Sequence, residues 1–218
     1  MEQGQTKLSP WLAVWIRPRE TVRAQLDTGQ PVKWMIPIAL GAGILNVLDR
    51  ASGKSAGDMM SFGALIALIL IGGMVGGLIS LYLGSALFVW VGRWYGGTGS
   101  YSELRTALTL GSFMPTIATG ILWIPLLLVY GEENFTYFTP EIDASPVLFS
   151  SISFAILALS IWSLVLMLKA VGEAHQFSAW RALGSIVVMG GIALGIIIVI
   201  GIITLIIGII ISNPIFSP

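Results

Sequence analysis

The residue best suited to acid–base or metal chemistry is the only histidine, His175, which follows Glu173 by two positions. A zinc site needs three or four protein ligands, and the sequence offers neither a cysteine nor a second histidine. The pair therefore predicts no metal centre by itself. A solvated loop histidine is the favoured interpretation.

Serine and glycine patterns give no catalytic site either. A serine nucleophile needs a base within hydrogen-bond reach, and no His or Lys is expected at the depth of the serines in apolar stretches, Ser80, Ser85, Ser160 and Ser163. We expect these serines to bond to backbone carbonyls or neighbouring helices. The glycine-rich run 96–99 lacks the Lys-Ser/Thr of a phosphate loop. The sequence thus predicts no catalytic, cofactor or metal site and no enzyme.

The composition identifies the solvent in which the chain folds. Apolar residues make up 56% of the 218 residues and charged residues only 10%, against about 25% charged residues in soluble domains. Long apolar blocks indicate a membrane protein. The net charge of zero gives no reason to expect nucleic acid as a partner.

The apolar residues form five blocks, and the sequence predicts an all-α bundle of five transmembrane helices. The blocks are 32–48, 59–92, 104–130, 147–168 and 182–211. About 20 residues cross the hydrocarbon core, so the second and fifth blocks must tilt, kink or project. Residues 1–31 are predicted to be an N-terminal arm and residues 32–218 the membrane domain.

The second block admits an alternative, because Gly72-Gly73 could be the turn of a helical hairpin. Cytoplasmic segments are enriched in Lys and Arg. Five spans with a cytoplasmic N-terminus and an external C-terminus place nine of these residues inside and two, Arg50 and Lys54, outside. The hairpin gives five against six. The charge distribution therefore favours five spans.

The arm before the first block has two interpretations. Ser9-Pro10 is typical of a helix start, and Arg17-Pro18 breaks that helix. An amphipathic interfacial helix, with Trp residues in the acyl boundary and Arg residues near headgroups, is favoured. A cap that packs on the cytoplasmic ends of the spans is the alternative.

Small residues and prolines inside the blocks predict how the helices pack and bend. Glycines four apart allow close helix approach, and intramolecular packing is favoured over a homodimer face for Gly72, Gly73, Gly76, Gly77, Gly84, Gly191 and Gly195. Pro37, Pro115 and Pro125 should bend their helices. The centres of the blocks lack charged residues and histidine, which argues against a proton relay or a charged substrate path.

Two stretches resemble the Yip1 family. They are 96–104 (GGTGSYSEL) with 111–115 (GSFMP), and 161–163 (IWS) through 172–175 (GEAH) to 180–182 (WRA). The second is similar to the bacterial branch, and a looser likeness extends from Leu12 to Ile206. The resemblance implies five helices, a cytoplasmic N-terminus and residence in a bacterial cytoplasmic membrane. Eukaryotic members bind Rab-type GTPases and act in vesicle trafficking. We do not carry this partner over, because the long N-terminal cytosolic region associated with it is not seen here.

Carried onto this sequence, the resemblance implies a cytoplasmic face that binds a protein partner or membrane lipids. Its candidate residues are Arg93, Glu103, Arg105, Pro115, Glu173, His175 and Arg181. Ion pairs that join Glu103 and Glu173 to Arg105 and Arg181 are an equal structural explanation. The favoured function is a non-enzymatic, membrane-organising scaffold that binds partners or lipids. The alternative is a permease or lipid-moving protein for a neutral or amphipathic substrate.

Overall fold

The computed structural model describes the backbone of residues 9–212 and the side chains of residues 9–209. Residues 1–8 of the predicted arm and 213–218 of the predicted membrane domain lie outside that range. The helices are α1 Pro10–Ile16, α2 Pro18–Asp27, α3 Met35–Gly53, α4 Phe62–Ala67, α5 Gly73–Trp94, α6 Tyr101–Leu108, α7 Met114–Gly120, α8 Trp123–Tyr130, α9 Pro140–Ala144, α10 Pro146–Ala174 and α11 Ala179–Ser212. π-Helical turns at Leu68–Gly72 and Thr109–Phe113 join α4 to α5 and α6 to α7.

Five helical segments are long and apolar enough to cross a membrane, and we number them spans 1 to 5. They are Met35–Gly53, Phe62–Trp94, Tyr101–Phe135, Pro146–Ala174 and Ala179–Ile209. The predicted all-helical fold with five spans is confirmed. The second block is one helix that continues through Gly72-Gly73, without a hairpin turn. We call the end of the bundle that holds α1, α2 and the loops 95–100 and 175–178 the arm side, and the opposite end the far side.

Span 1 differs from the predicted block at both ends. It begins at Met35, so Pro37 lies in the first turn, where backbone N–H groups have no intrahelical partner. The prediction that Pro37 bends this span is therefore wrong. The helix continues to Gly53 and includes Asp49 and Arg50. These two charges lie about one turn inside the end of the span.

Span 3 is distorted at its two prolines, as predicted. Pro115 directly follows a π-helical turn and Met114, because its missing N–H leaves the carbonyl of Gly111 without the usual partner. The helix is interrupted again between Gly120 and Trp123. This break lies four residues before Pro125, where the proline ring would clash with a helical carbonyl. These two distortions interrupt the regular helical repeat near the middle of span 3.

Spans 1 and 2 cross at a contact between glycine backbones. A Cβ added to Gly43 would collide with the carbonyl oxygen of Gly73, and one added to Gly77 would collide with that of Ala39. Backbone atoms cannot move aside as side-chain tips can. This crossing therefore needs glycine at Gly43, Gly73 and Gly77.

The other glycines of the predicted stripes behave differently. A Cβ at Gly76, Gly191 or Gly195 would meet no atom within 4 Å, so the prediction of intramolecular packing is wrong for these three. Gly72 faces only Leu68 of its own span, and Gly84 would make an ordinary contact, 3.6 Å from Leu108. A dimer face at Gly191 and Gly195 stays a prediction.

Span 5 packs on the bundle only near the arm side. Ala182 and Ser185 are buried, and the Tyr95 ring lies against Gly184. Along 190–209 nearly all large side chains are exposed, a surface that a bilayer would cover with lipid tails. Span 5 is therefore a peripheral helix of the bundle.

The arm caps the arm side of the bundle. Val14 and Val22 are buried in a core that includes residues of all five spans, and Pro18 is buried as well. The break between α1 and α2 lies at Arg17, as the sequence predicted. Leu12 is 61% exposed, so part of α1 presents an apolar surface away from the bundle.

Candidate functional site

His175 lies at the centre of the arm side and uses both ring nitrogens. The backbone N–H of Gly99 donates to Nδ1 at 3.1 Å, and Nε2 lies 2.9 Å from the carbonyl oxygen of Phe88. Because Nδ1 accepts, the proton is on Nε2 and is donated to Phe88. The ring also stacks on Phe177, with centroids 4.9 Å apart. The imidazole thus connects span 2 with the loops that follow spans 2 and 4.

Glycines make room for this ring. A Cβ at Gly92 would collide with Nε2, and one at Gly97 would stand 2.5 Å from Nδ1. The glycine-rich run that is not a phosphate loop therefore has a packing explanation: its backbone closes around the imidazole. Gly96 adds a left-handed turn, with φ +78°, which favours glycine.

The prediction that His175 is a solvated loop residue is wrong, because the side chain is 1% exposed. Burial lowers the pKa of His175 below its ordinary value. The hydrogen bond to Phe88 and the carboxylate of Glu103 oppose this shift, whereas Arg93 reinforces it. The ring is therefore neutral in the folded protein at pH 7. With both nitrogens bonded to backbone, it positions loops and has no nitrogen left for a substrate or metal.

Glu173 fastens the arm to the bundle. Its carboxylate accepts a hydrogen bond from Arg23 Nε at 2.8 Å and lies 3.4 Å from Arg19 Nη1. Arg19 also donates to the carbonyl oxygen of Phe177 at 3.3 Å. The Glu173 side chain is 13% exposed, so these ion pairs are better shielded from solvent than ordinary surface pairs. They hold α2 against the end of span 4.

The predicted ion pairs to Arg105 and Arg181 are wrong in the part of the chain that the structure describes. Glu103 instead forms a capping box with Ser100, whose N–H donates to the Glu103 carboxylate at 2.7 Å. The Arg105 guanidinium lies over the Tyr101 ring, 4.9 Å from its centroid. Both side chains thus stabilise the start of span 3, and the carboxylate of Glu173 is engaged by the arm.

The remaining predicted face residues are spread over two depths. Arg93 is exposed in the last turn of span 2, and Arg181 is exposed in the first turn of span 5. Pro115 is buried within span 3, away from the arm-side surface. The structure therefore does not bring the seven candidate residues together as one surface.

An open pocket on the arm side brings together two of the predicted face residues, Glu173 and Arg181, with Arg19 of the arm. It measures about 570 Å³ and is lined by Arg19, Glu173, Gln176, Phe177, Ser178 and Arg181. Among the described residues, no carboxylate lies within ion-pair distance of Arg181. Its guanidinium is thus a free cation beside the first turn of a long helix, whose N–H groups also favour anions.

A second cavity lies inside the membrane region, between spans 1, 3 and 4. It measures about 240 Å³ and is lined by Leu45, Asn46, Asp49, Ser112, Thr116, Thr119, Gly120, Trp123, Ile156, Ser160, Ser163, Leu164 and Met167. Ser112 and Thr116 flank the Pro115 distortion of span 3. Polar side chains at this depth are costly in hydrocarbon and mark functional sites.

Sequence reasoning missed Asp49 because it ended the first span at residue 48, and it missed Asn46 because it considered only charged residues, histidine and serine within the spans. Asn46 and Asp49 are three apart, which places them on one face of a helix. That spacing was the available signal. Ser160 and Ser163 share a face for the same reason, but only the fold brings the two faces together.

Residues 134–136 match a glycosylation sequon, but the structure buries this asparagine. Asn134 is 4% exposed, and its side-chain amide donates to the carbonyl oxygens of Leu126 and Gly131 at 2.9 Å. The side chain closes the far-side end of span 3. In this fold it is not accessible to a modifying enzyme.

These features define the class of protein, which is a helical membrane protein with five spans. The Yip1 domain family matches residues 12–203, and the chain therefore belongs to this family. Its members are generally non-catalytic membrane proteins. Comparisons with curated proteins and with solved structures gave no match.

Proposed function

We propose that this Yip1-domain protein is a non-enzymatic, membrane-organising scaffold that binds anionic lipid headgroups at its arm-side pocket. The observation that carries the proposal is the charge of that pocket. Arg19, Arg181 and Glu173 line the pocket, and Arg23 pairs with Glu173 from beside it, so three positive charges meet one negative charge and leave a net +2. The phosphate of a lipid headgroup fits this excess and the bidentate geometry of arginine.

Exposed tryptophans support a position of the pocket at headgroup depth. Trp180, next to Arg181, is 81% exposed, and Trp34 and Trp94 are exposed on the same side of the bundle. Tryptophan prefers the membrane interface. Each Arg near an anionic leaflet contributes about 1 kcal/mol of attraction. The exposed apolar residues of α1 would rest in the same interface, as the sequence predicted for the arm.

Charge reversal at Arg181 tests the proposal. We expect Arg181→Glu to lower by at least about fivefold the enrichment of phosphatidylglycerol in nanodiscs or co-purified lipid, because two unit charges are lost from the pocket. Lys54→Glu, at the far side, is the matched control and should leave enrichment unchanged. Equal enrichment in wild type and Arg181→Glu would refute lipid binding at this pocket.

The same proposal includes the orientation, with the arm side in the cytoplasm of a bacterial cell. The chain has no native cysteine, so single cysteines report accessibility without background. Ser102→Cys on the arm side should react with an impermeant maleimide only after permeabilisation. Tyr137→Cys on the far side, where Tyr137 is 88% exposed, should react on intact cells. The reverse pattern would invert the assigned orientation.

A protein partner at the arm side is a second use of the same surface, and we propose it only for the exposed Arg93 and Arg181. Recovery of the partner by cross-linking should fall in Arg181→Glu if such a partner binds.

The alternative function, movement of a neutral or amphipathic molecule, rests on a different observation, the cavity between spans 1, 3 and 4. Liposomes containing the purified protein should show flux above empty vesicles if that alternative holds.

A further inference from the structure

We infer that the cavity between spans 1, 3 and 4 binds the polar head of a hydroxyl-bearing, phosphate-free amphiphile such as diacylglycerol. This site is separate from the arm-side pocket and shares no lining residue with it. The inference therefore does not depend on lipid binding at the arm side, and it concerns binding in the cavity whether or not the protein moves the ligand across the membrane.

The cavity continues toward the far side. A neighbouring cavity of about 390 Å³ shares Asp49, Trp123, Ile156 and Ser160 with it. The second cavity adds Ser52 and Gly53 near the end of span 1, and Ser153 and Leu157 on span 4. The two cavities thus form a continuous space from the far side into the bundle, with polar and apolar side chains along it. The inner cavity alone measures about 240 Å³.

Some of the polar groups in the inner cavity are already bonded within their own helices. Thr116 Oγ1 donates to the carbonyl oxygen of Ser112 at 3.0 Å, and Asn46 Nδ2 donates to that of Ala42 at 2.8 Å. Ser163 is different, because its buried Oγ has no hydrogen-bond partner among the described residues. An unpaired hydroxyl in hydrocarbon is costly. Because Ser163 lines the cavity, rotation of its side chain toward the cavity would let a ligand hydroxyl supply the missing partner.

The charge of the cavity decides the class of head group. Asp49 is the charged residue among the described lining residues of these two cavities, whereas its neighbour Arg50 lines a third cavity, toward span 2. A phosphate in either of the two cavities would therefore lie beside the acidic side chain, with the arginine on another face of span 1, which is unfavourable at low dielectric. A hydroxyl group can instead donate to the carboxylate, and such charge-assisted hydrogen bonds are the stronger kind.

The apolar lining accounts for the tails. Ile156, Leu157 and Phe149 of span 4 line the outer cavity, and Leu157 is 57% exposed on the membrane-facing surface. Acyl chains can leave between spans and remain in the bilayer while the head group occupies the polar end. This arrangement fits an amphiphile better than a small water-soluble solute.

Photolabelling of the full chain in nanodiscs tests the inference. The probe is a diacylglycerol with a diazirine in the acyl chain close to the glycerol ester, and labelled peptides are identified by mass spectrometry. We expect labels on span 4 between residues 153 and 164. Unlabelled diacylglycerol should compete, whereas phosphatidic acid with the same acyl chains should compete at least tenfold less well.

Two substitutions on one helix provide a matched comparison. Ser160→Leu fills the cavity and should lower labelling at least fivefold. Ser151→Leu makes the same change at an exposed position that lines neither cavity and should label as wild type. Ser163→Ala removes the unpaired hydroxyl with little change in volume and should also lower labelling. This variant keeps the test decisive if Ser160→Leu does not fold. Asp49→Asn should allow phosphatidic acid to compete.

Each result decides the question. Wild-type labelling in both Ser160→Leu and Ser163→Ala would overturn the site. Equal competition by phosphatidic acid in the wild-type protein would overturn the preference for a phosphate-free head group. Loss of labelling in Ser160→Leu and Ser163→Ala but not in Ser151→Leu, together with stronger competition by diacylglycerol than by phosphatidic acid, supports both the site and its preference for a phosphate-free head group.

Discussion

Replacing His175 with phenylalanine isolates the hydrogen bonds that connect span 2 with the two arm-side loops. The variant His175→Phe keeps an aromatic ring against Phe177 and removes both nitrogens. The N–H of Gly99 and the carbonyl of Phe88 then lose their buried partners. Each buried polar group left unsatisfied costs about 1–3 kcal/mol. We expect the free energy of unfolding to fall by about 2–6 kcal/mol.

The pH dependence of stability provides a second, independent test of the role of His175. Because the folded-state pKa of His175 is lowered, the unfolded state binds more protons as the pH falls. The stabilisation is complete above the unfolded pKa of about 6.5 and is lost as the pH falls through the folded pKa. One pKa unit corresponds to 1.36 kcal/mol. Lowering the pH to 5.5 should therefore cost the wild type up to about 1.4 kcal/mol.

The assay is unfolding of the purified protein in mixed micelles by titration with sodium dodecyl sulfate at pH 7.5 and 5.5. His175 is the only histidine, so His175→Phe should lose the pH dependence in this window. Trp180→Phe, at an exposed position nearby, should change stability by less than about 0.5 kcal/mol. A His175→Phe variant as stable as wild type, or one that keeps the pH dependence, would refute the assigned role.

Two further predictions concern packing. Glu173→Gln should weaken the docking of α2 by about 1 kcal/mol, a figure reduced because the arginines are partly exposed. Tryptic cleavage at Arg23 should then be about fivefold faster than in the wild type. The control variant Glu20→Gln should be cleaved at the wild-type rate. Gly77→Ala should destabilise the protein by about 1–3 kcal/mol, because its Cβ would collide with the Ala39 carbonyl, whereas Gly76→Ala meets open space and should be neutral or stabilising. Equal stability of the two alanine variants in the same unfolding titration would contradict the glycine contact between spans 1 and 2.

The structure changed the interpretation of the charged residues more than that of the apolar ones. The arginines of α2 were assigned to lipid headgroups, but Arg19 and Arg23 both engage Glu173. An arginine that binds a lipid headgroup and one that pairs with Glu173 look the same in the local sequence, because Glu173 lies 150 or more positions away. Arg181 is the exposed arginine of the arm-side pocket for which the structure shows no such partner. Long-range partners of this kind are not readable from local spacing.

The sequence by itself determined the number of spans, the helix break at Arg17 and the distortion of span 3 at Pro115. These features follow from apolar block length and proline chemistry, which act locally along the chain. Tertiary structure alone decided that His175 is buried, since its environment consists of Phe88 and Gly99 from another part of the chain. It also decided that Asn46 and Ser163 face one cavity. A cavity arises from how three helices are arranged in space, and a one-dimensional pattern specifies only the face that each helix contributes.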